Sequence, residues 1–149
     1  MVISAEISDR LASIGRRFGL NLIVLFGSRA RGWAGEGSDL DIGVWLEEGQ
    51  ADRRWKAELW EALADLWETG QVDLVVLNEA NGALSYEIAC SGKPLYESRP
   101  FLFQKFQVLA MKRYEDMNRI SRWNRQYVEA FLRRKAHRAQ SSRDPGPVG

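Results

Sequence analysis

The stretch from Phe26 to Trp45, FGSRARGWAGEGSDLDIGVW, decides how the rest of the chain is read. It follows a continuous apolar run, Leu20–Phe26, which has the look of a buried strand. It ends in an alternating segment, with Leu40, Ile42, Val44 and Leu46 on one side and Asp39, Asp41, Gly43 and Trp45 on the other. Side chains two apart on a strand share a face, so Asp39 and Asp41 present two carboxylates together. Like charges that close repel, and a hard divalent cation with a taste for oxygen ligands is the usual remedy. A third aspartate, Asp73, alternates with Val72 and Leu74 in the run Gln71–Asn78 and faces away from their apolar side. If the two strands are neighbours, Asp39, Asp41 and Asp73 converge. Three carboxylates can hold two metals, the arrangement that activates an attacking oxygen and stabilises a leaving one in phosphoryl chemistry.

The other end of the stretch suits an anion. Gly27 and Ser28 leave the first strand, where glycine lets backbone approach a phosphate and the serine hydroxyl donates to it. A short helix starting there would add free backbone N–H groups. Arg29 and Arg31 supply positive charge beside it. Each piece has a plain alternative: a turn for Gly-Ser, a solvated strand end for Asp-Leu-Asp, a cap or ion pair for Asp73. Their joint occurrence at strand ends favours a phosphate-and-metal site.

Outward from this stretch, helices and strands intermix, which predicts an α+β fold with a small mixed sheet flanked by helices. Ile7, Leu11, Ile14 and Phe18 mark one face of a helix that Gly19 ends. Residues 51–69 form a second, with Trp55, Leu59, Ala62, Leu63 and Leu66 inward and Gly70 after it. Residues 83–92 read as a short helix and Lys93–Glu97 as an edge strand. From Phe101 to about Lys135 the pattern is helical without Pro or Gly, and Phe103, Phe106, Ala110, Met117, Ile120, Tyr127 and Phe131 line one side. Three segments are expected: a catalytic domain at 1–98, a helical contact region at 99–136 and a disordered basic tail at 137–149. Met117, Ile120, Trp123, Tyr127 and Phe131 are too apolar for water, so a partner or a second copy of this chain is expected there. A break near Asn118 or Asn124, folding the helix back as two, is the alternative.

Bulk properties narrow the classes. The 149 residues carry a net charge of +1, which argues against a nucleic-acid partner for the chain as a whole. Residues 1–118 hold 13 Lys+Arg and 18 Asp+Glu, a net −5, whereas 119–149 hold 8 and 2, a net +6. The basic end reads as cations complementing a helix C-terminus rather than as an RNA-binding element. Cys90 is the only cysteine, so no internal disulfide forms. No signal pattern or bilayer-length apolar run is visible, and the simplest expectation is a cytoplasmic protein without a membrane partner.

Gly-Ser, ten residues, then Asp-x-Asp, with a later third carboxylate, resembles the nucleotidyltransferase superfamily that includes DNA polymerase beta. Here the signature is Gly27, Ser28, Asp39, Asp41 and Asp73. FGSRARG followed by SDLDIGV looks most like the minimal nucleotidyltransferases (MNT) of prokaryotes, over about residues 7–98 and including SYEIACSGKPLYE. The resemblance implies an antitoxin that uses ATP and Mg2+, two ions, to transfer AMP onto a tyrosine of a HEPN-domain ribonuclease toxin. Asp39, Asp41 and Asp73 would then be catalytic and metal-binding, and Gly27, Ser28, Arg29 and Arg31 nucleotide-binding. The chain lacks the toxin's own motif, an Arg and a His separated by four to six residues: His137 is the only histidine, and the positions such an Arg would take, 130–132, hold Ala130, Phe131 and Leu132. Two rival functions remain. A small-molecule nucleotidyltransferase of the antibiotic-modifying kind would need a fuller acceptor domain than one long helix. A non-catalytic neutralising module would not need the aspartates. Trp33 is either a loop anchor or a stacking surface, and Trp45 shares the aspartate face.

Overall fold

A computed structural model describes residues 3–30, 32 and 39–143, with side chains through residue 140. Arg31 and Trp33 lie outside the described residues. The elements run α1 (Ala5–Arg17), β1 (Leu20–Phe26), β2 (Leu40–Leu46), α2 (Arg53–Trp67), β3 (Val72–Val76), α3 (Gly82–Ser91), β4 (Lys93–Glu97) and α4 (Leu102–Arg143). The expected α+β fold is present. Its four-stranded sheet has the order β3-β2-β1-β4. β1 runs antiparallel to both β2 and β4, and β2 is parallel to β3. That parallel pair is joined through α2, because a hairpin cannot connect parallel strands.

Strand alternation divides the core into two layers. Leu20, Ile23 and Leu25 of β1 and Leu40, Ile42, Val44 and Leu46 of β2 pack with Leu11 of α1 and Leu59, Leu63 and Leu66 of α2. Leu22, Val24 and Phe26 turn to the opposite face, against Ile88 and Ala89 of α3 and Phe103, Phe106 and Ala110 of α4. β1 is buried along its whole length, as its unbroken apolar run predicts.

The helix starts are capped by the residues that favour capping. Ser4, Asp52 and Asn81 accept from the backbone N–H groups of Ile7, Trp55 and Leu84. Gly19, at φ 66°, carries the chain from α1 into β1. α2 ends differently from the expectation. Glu68, not Gly70, takes the left-handed conformation at φ 51°, and the Thr69 N–H donates to the Ala64 carbonyl at 3.0 Å. That hydrogen bond satisfies a terminal carbonyl and offsets the strain of a non-glycine residue there. Asn78 fixes the far end of β2, accepting from the Leu46 N–H at 2.8 Å and donating to the Leu46 carbonyl at 3.0 Å.

α4 is one helix, not two, and continues through Arg143, into the segment expected to be tail. Neither Asn118 nor Asn124 breaks it, since an asparagine costs an α-helix only a few tenths of a kcal/mol. The chain divides into two compact units between Lys112 and Arg113, inside α4. The first turns of α4 belong with the sheet, because Phe103, Phe106 and Ala110 are buried in its second layer.

Candidate active site

The site forms where β1 ends and β2 begins. In the ladder Asp41 stands opposite Phe26 on one side and opposite Asp73 on the other. Partners across a parallel ladder present their side chains to the same face, so Asp41 and Asp73 are neighbours. Asp39 lies just ahead of β2. The Leu40 N–H donates to the Gln71 carbonyl at 2.7 Å, which ties that approach to the segment leading into β3. The aspartates therefore occupy the side of the sheet away from Leu40, Ile42 and Val72, as alternation requires.

Gly27 is held on two grounds. Its φ of 75° lies in the left-handed region. A Cβ built there would also overlap the Asp41 carboxylate. The space a side chain at Gly27 would need is thus taken by the Asp41 carboxylate, although ten residues of sequence separate Ser28 from Asp39. Ser28 is exposed, Arg29 half-buried, and Ala30 fully buried in the first core layer. Ser28–Ala30 form a turn rather than the start of a helix, with the Gly32 N–H 3.4 Å from the Arg29 carbonyl. The candidate role of Arg31 falls outside the described residues.

Charge is concentrated on Asp41. Burial raises its pKa above the ordinary value, and Asp73, Asp39 and Glu87 each raise it further by repulsion. Glu87, exposed on α3, is a fourth carboxylate in this field, and sequence reasoning missed it. Its position follows from how α3 is laid over the sheet, with Ser85, Ile88 and Ala89 buried, and no spacing rule links it to Asp41. Trp45, two residues beyond Gly43 on the aspartate face, is half-buried against Phe106, ring centroids 6.2 Å apart. It packs against the second core layer, four residues along β2 from Asp41.

Mutual repulsion among all-oxygen donors is the chemistry that suits a hard divalent cation. Among the described residues no three His, Cys, Asp or Glu side chains are gathered tightly enough to cage one ion alone. Such an edge leaves coordination positions to phosphate oxygens and water, the mode in which Mg2+ is commonly bound. No helix among the described residues is long and apolar enough to cross a membrane.

Residues 11–100 match the family described as polymerase beta, nucleotidyltransferase. The chain is 32% identical over 122 residues to the protein adenylyltransferase MntA of Shewanella oneidensis, covering 82% of this chain and 86% of that protein. It is 28% identical over 123 residues to the protein adenylyltransferase MntA of Aphanizomenon flos-aquae, covering 77% and 82%. Among solved structures, a toxin–antitoxin crystal structure with AMP-PNP superposes with a TM-score of 0.65 at 27% identity, covering 84% of this chain and 97% of that one. A complex of a tri-AMPylated Shewanella oneidensis HEPN toxin with its MNT antitoxin superposes at 0.60 and 25% identity, covering 85% and 96%. The Gly27–Asp41–Asp73 edge lies within the matched span, and this chain belongs to the polymerase beta nucleotidyltransferase family, in its MntA group.

Proposed function

We propose that this nucleotidyltransferase moves AMP from ATP onto a hydroxyl of a partner protein, a tyrosine of a HEPN-domain toxin, and so acts as that toxin's antitoxin in the cytoplasm. The observation that carries the reading is the side-by-side placement of Asp41 and Asp73 with the Gly27 backbone packed on Asp41. The names of the MntA relatives and the AMPylated HEPN complex support the acceptor class. The catalytic domain is taken as residues 1–98, with partner contacts on the helical region that follows.

In this reading Gly27 and Ser28 hold the triphosphate, Ser28 donating its hydroxyl, with Arg29 or Arg31 adding charge. Asp39, Asp41 and Asp73 would hold Mg2+, two ions, which lower the cost of charge on the attacking and leaving oxygens. Asp73, more exposed than Asp41, takes the proton of the acceptor hydroxyl. The hydroxyl oxygen bonds to the α-phosphorus, the bond from that phosphorus to its bridging oxygen breaks, and pyrophosphate leaves. Among the described residues the sheet is followed by one helix, α4, rather than by a helical acceptor domain, which favours a protein surface that completes the site.

The test is incubation with ATP, Mg2+ and a HEPN protein encoded beside this chain. Mass spectrometry should find added AMP on a tyrosine of that protein. AMP on an aminoglycoside with none on the protein would overturn the acceptor assignment.

A further inference from the structure

The sheet has two outer strands, and the fold treats them differently. β4, at one margin, carries Lys93 and Pro94, and its ladder with β1 is irregular between Ile23 and Val24. Proline, lysine and irregular pairing are the usual means of keeping an edge from pairing with another chain. β3, at the other margin, has none of them. Its residues, Val72 to Val76, pair with β2 in unbroken register.

The hydrogen bonds of β3 show which of its groups face outward. The Leu40 N–H donates to the Gln71 carbonyl at 2.7 Å, and the Leu77 N–H to the Val44 carbonyl at 2.8 Å. In a parallel ladder of that register, residues 71, 73, 75 and 77 turn their backbone groups to β2, and Val72, Leu74 and Val76 turn theirs outward. The carbonyls at both ends of the outward row are taken. The Trp60 indole N–H donates to the Val72 carbonyl at 2.8 Å, and the Glu79 N–H to the Val76 carbonyl at 3.0 Å. Between them, the Leu74 N–H, the Leu74 carbonyl and the Val76 N–H meet no hydrogen-bond partner among the described residues.

This opening begins directly after Asp73. An extended backbone is the ligand that such a row accepts, because its own N–H and C=O groups repeat at the same spacing. A side chain opposite Asp73 shares the aspartate face, with Cβ atoms about 5 Å apart. A tyrosine at that position is long enough to carry its hydroxyl past Asp73 toward Asp41, whereas a serine or threonine is not. The residues on either side of it turn to the other face. There Leu74 is half-buried and Trp60, on α2, is 36% exposed, so apolar neighbours suit them.

From the open edge beside Asp73, and resting on the proposed transfer to a protein tyrosine, we infer that the acceptor protein presents that tyrosine on an extended segment, which pairs with β3 as a fifth strand. The tyrosine stands opposite Asp73, with apolar neighbours against Trp60 and Leu74. A tyrosine within an intact helix does not fit, because helical backbone groups already bond one another.

Amide exchange followed by NMR tests this on the whole chain, with the HEPN protein encoded beside it and with AMP-PNP and Mg2+ to hold the complex before transfer. In the free chain the Leu74 and Val76 amides should exchange at least ~10-fold faster than those of Asp73 and Val75, which bond to β2. Saturation with the HEPN protein should slow Leu74 and Val76 by at least ~10-fold. Leu74→Pro removes only an outward N–H, whereas Leu74→Ala trims the same side chain and keeps it. With ATP, kcat/KM for transfer should be ~10-fold lower in the proline variant than in the alanine variant, the factor expected for about one hydrogen bond. The comparison counts where the Asp73 and Val75 amides stay protected in both variants; if the proline variant does not fold, exchange in the wild type decides alone. Bound HEPN protein that leaves both outward amides fast, or equal rates in two folded variants, overturns the inference while transfer to the protein still stands. A wild-type chain that places no AMP on the protein overturns both together.

Discussion

The aspartate edge and the distal part of α4 are both rich in groups that water alone does not satisfy, yet they differ in where the satisfaction comes from. At the edge, the chain supplies the neighbours. Asp41 is flanked by Gly27, Asp73 and the paired backbone of β1 and β3, and a single methyl at Gly27 has no room. On the distal helix, Ile120, Trp123 and Tyr127 remain largely exposed within the described residues. The first region is crowded by its own fold, so small changes there should be costly. The second is shaped for another molecule, and the same changes there should leave the fold alone.

The largest contrast is in catalysis. Asp41→Asn should lower AMP transfer by at least ~100–1000-fold, the range seen when one group that stabilises developing charge is removed. Arg122→Ala, on the distal helix, should leave the single-turnover rate with saturating partner unchanged. A variant at Asp41 with wild-type turnover would remove the aspartate edge from the reaction altogether.

A contrast in stability comes next. Gly27→Ala places an L side chain at φ 75° and drives its Cβ into the Asp41 carboxylate. The expected cost is ~1–3 kcal/mol, with activity lost as Asp41 is displaced. Ser121→Ala on the exposed helix should change stability by less than about 0.5 kcal/mol. Denaturant titration of both variants decides, and a neutral Gly27→Ala would mean that the loop relaxes freely and that the close approach is not required.

How far each region could be read from sequence follows the same division. Period-two alternation placed Asp39, Asp41 and Asp73 on one face before any contact was known, because strand geometry leaves a side chain only two directions. The unbroken apolar run Leu20–Phe26 announced a buried strand, because a strand covered on both faces has no polar side. Glu87 was not legible, since its approach to Asp41 depends on how α3 is laid across the sheet. Nor was the end of α2 at Glu68, where a local hydrogen bond outweighs the preference for Gly70. The contact of Gly27 with Asp41 was half legible. A turn glycine was evident, but the carboxylate filling the space of its missing side chain needed the β1–β2 register. The continuity of α4 through Asn118 and Asn124 was left open, because asparagine is compatible with both a helix and a break. Its apolar face was plain, and its occupant was not, because that occupant lies outside the chain.

The smallest effect tests the sign of the charge at the edge. Burial first, then Asp73, Asp39 and Glu87, raise the Asp41 pKa in the folded chain above its unfolded value. The folded state thus binds this proton more tightly than the unfolded state does. The stabilising contribution is complete below the unfolded pKa and is lost as pH rises through the folded one. At neutral pH, with divalent cations chelated, ionised Asp41 costs stability, and Asp41→Asn should therefore melt above the wild type. The gap should narrow as the pH is lowered toward the ordinary carboxylate range, where wild-type Asp41 is also neutral. Mg2+ should raise the wild-type melting temperature more than that of the variant, because a bound cation relieves the same repulsion. Melting curves at neutral and acidic pH, each with chelator and with Mg2+, separate these effects. If chelated Asp41→Asn melts below the wild type at neutral pH, the carboxylate is held by stabilising hydrogen bonds, and repulsion is not what shapes this edge.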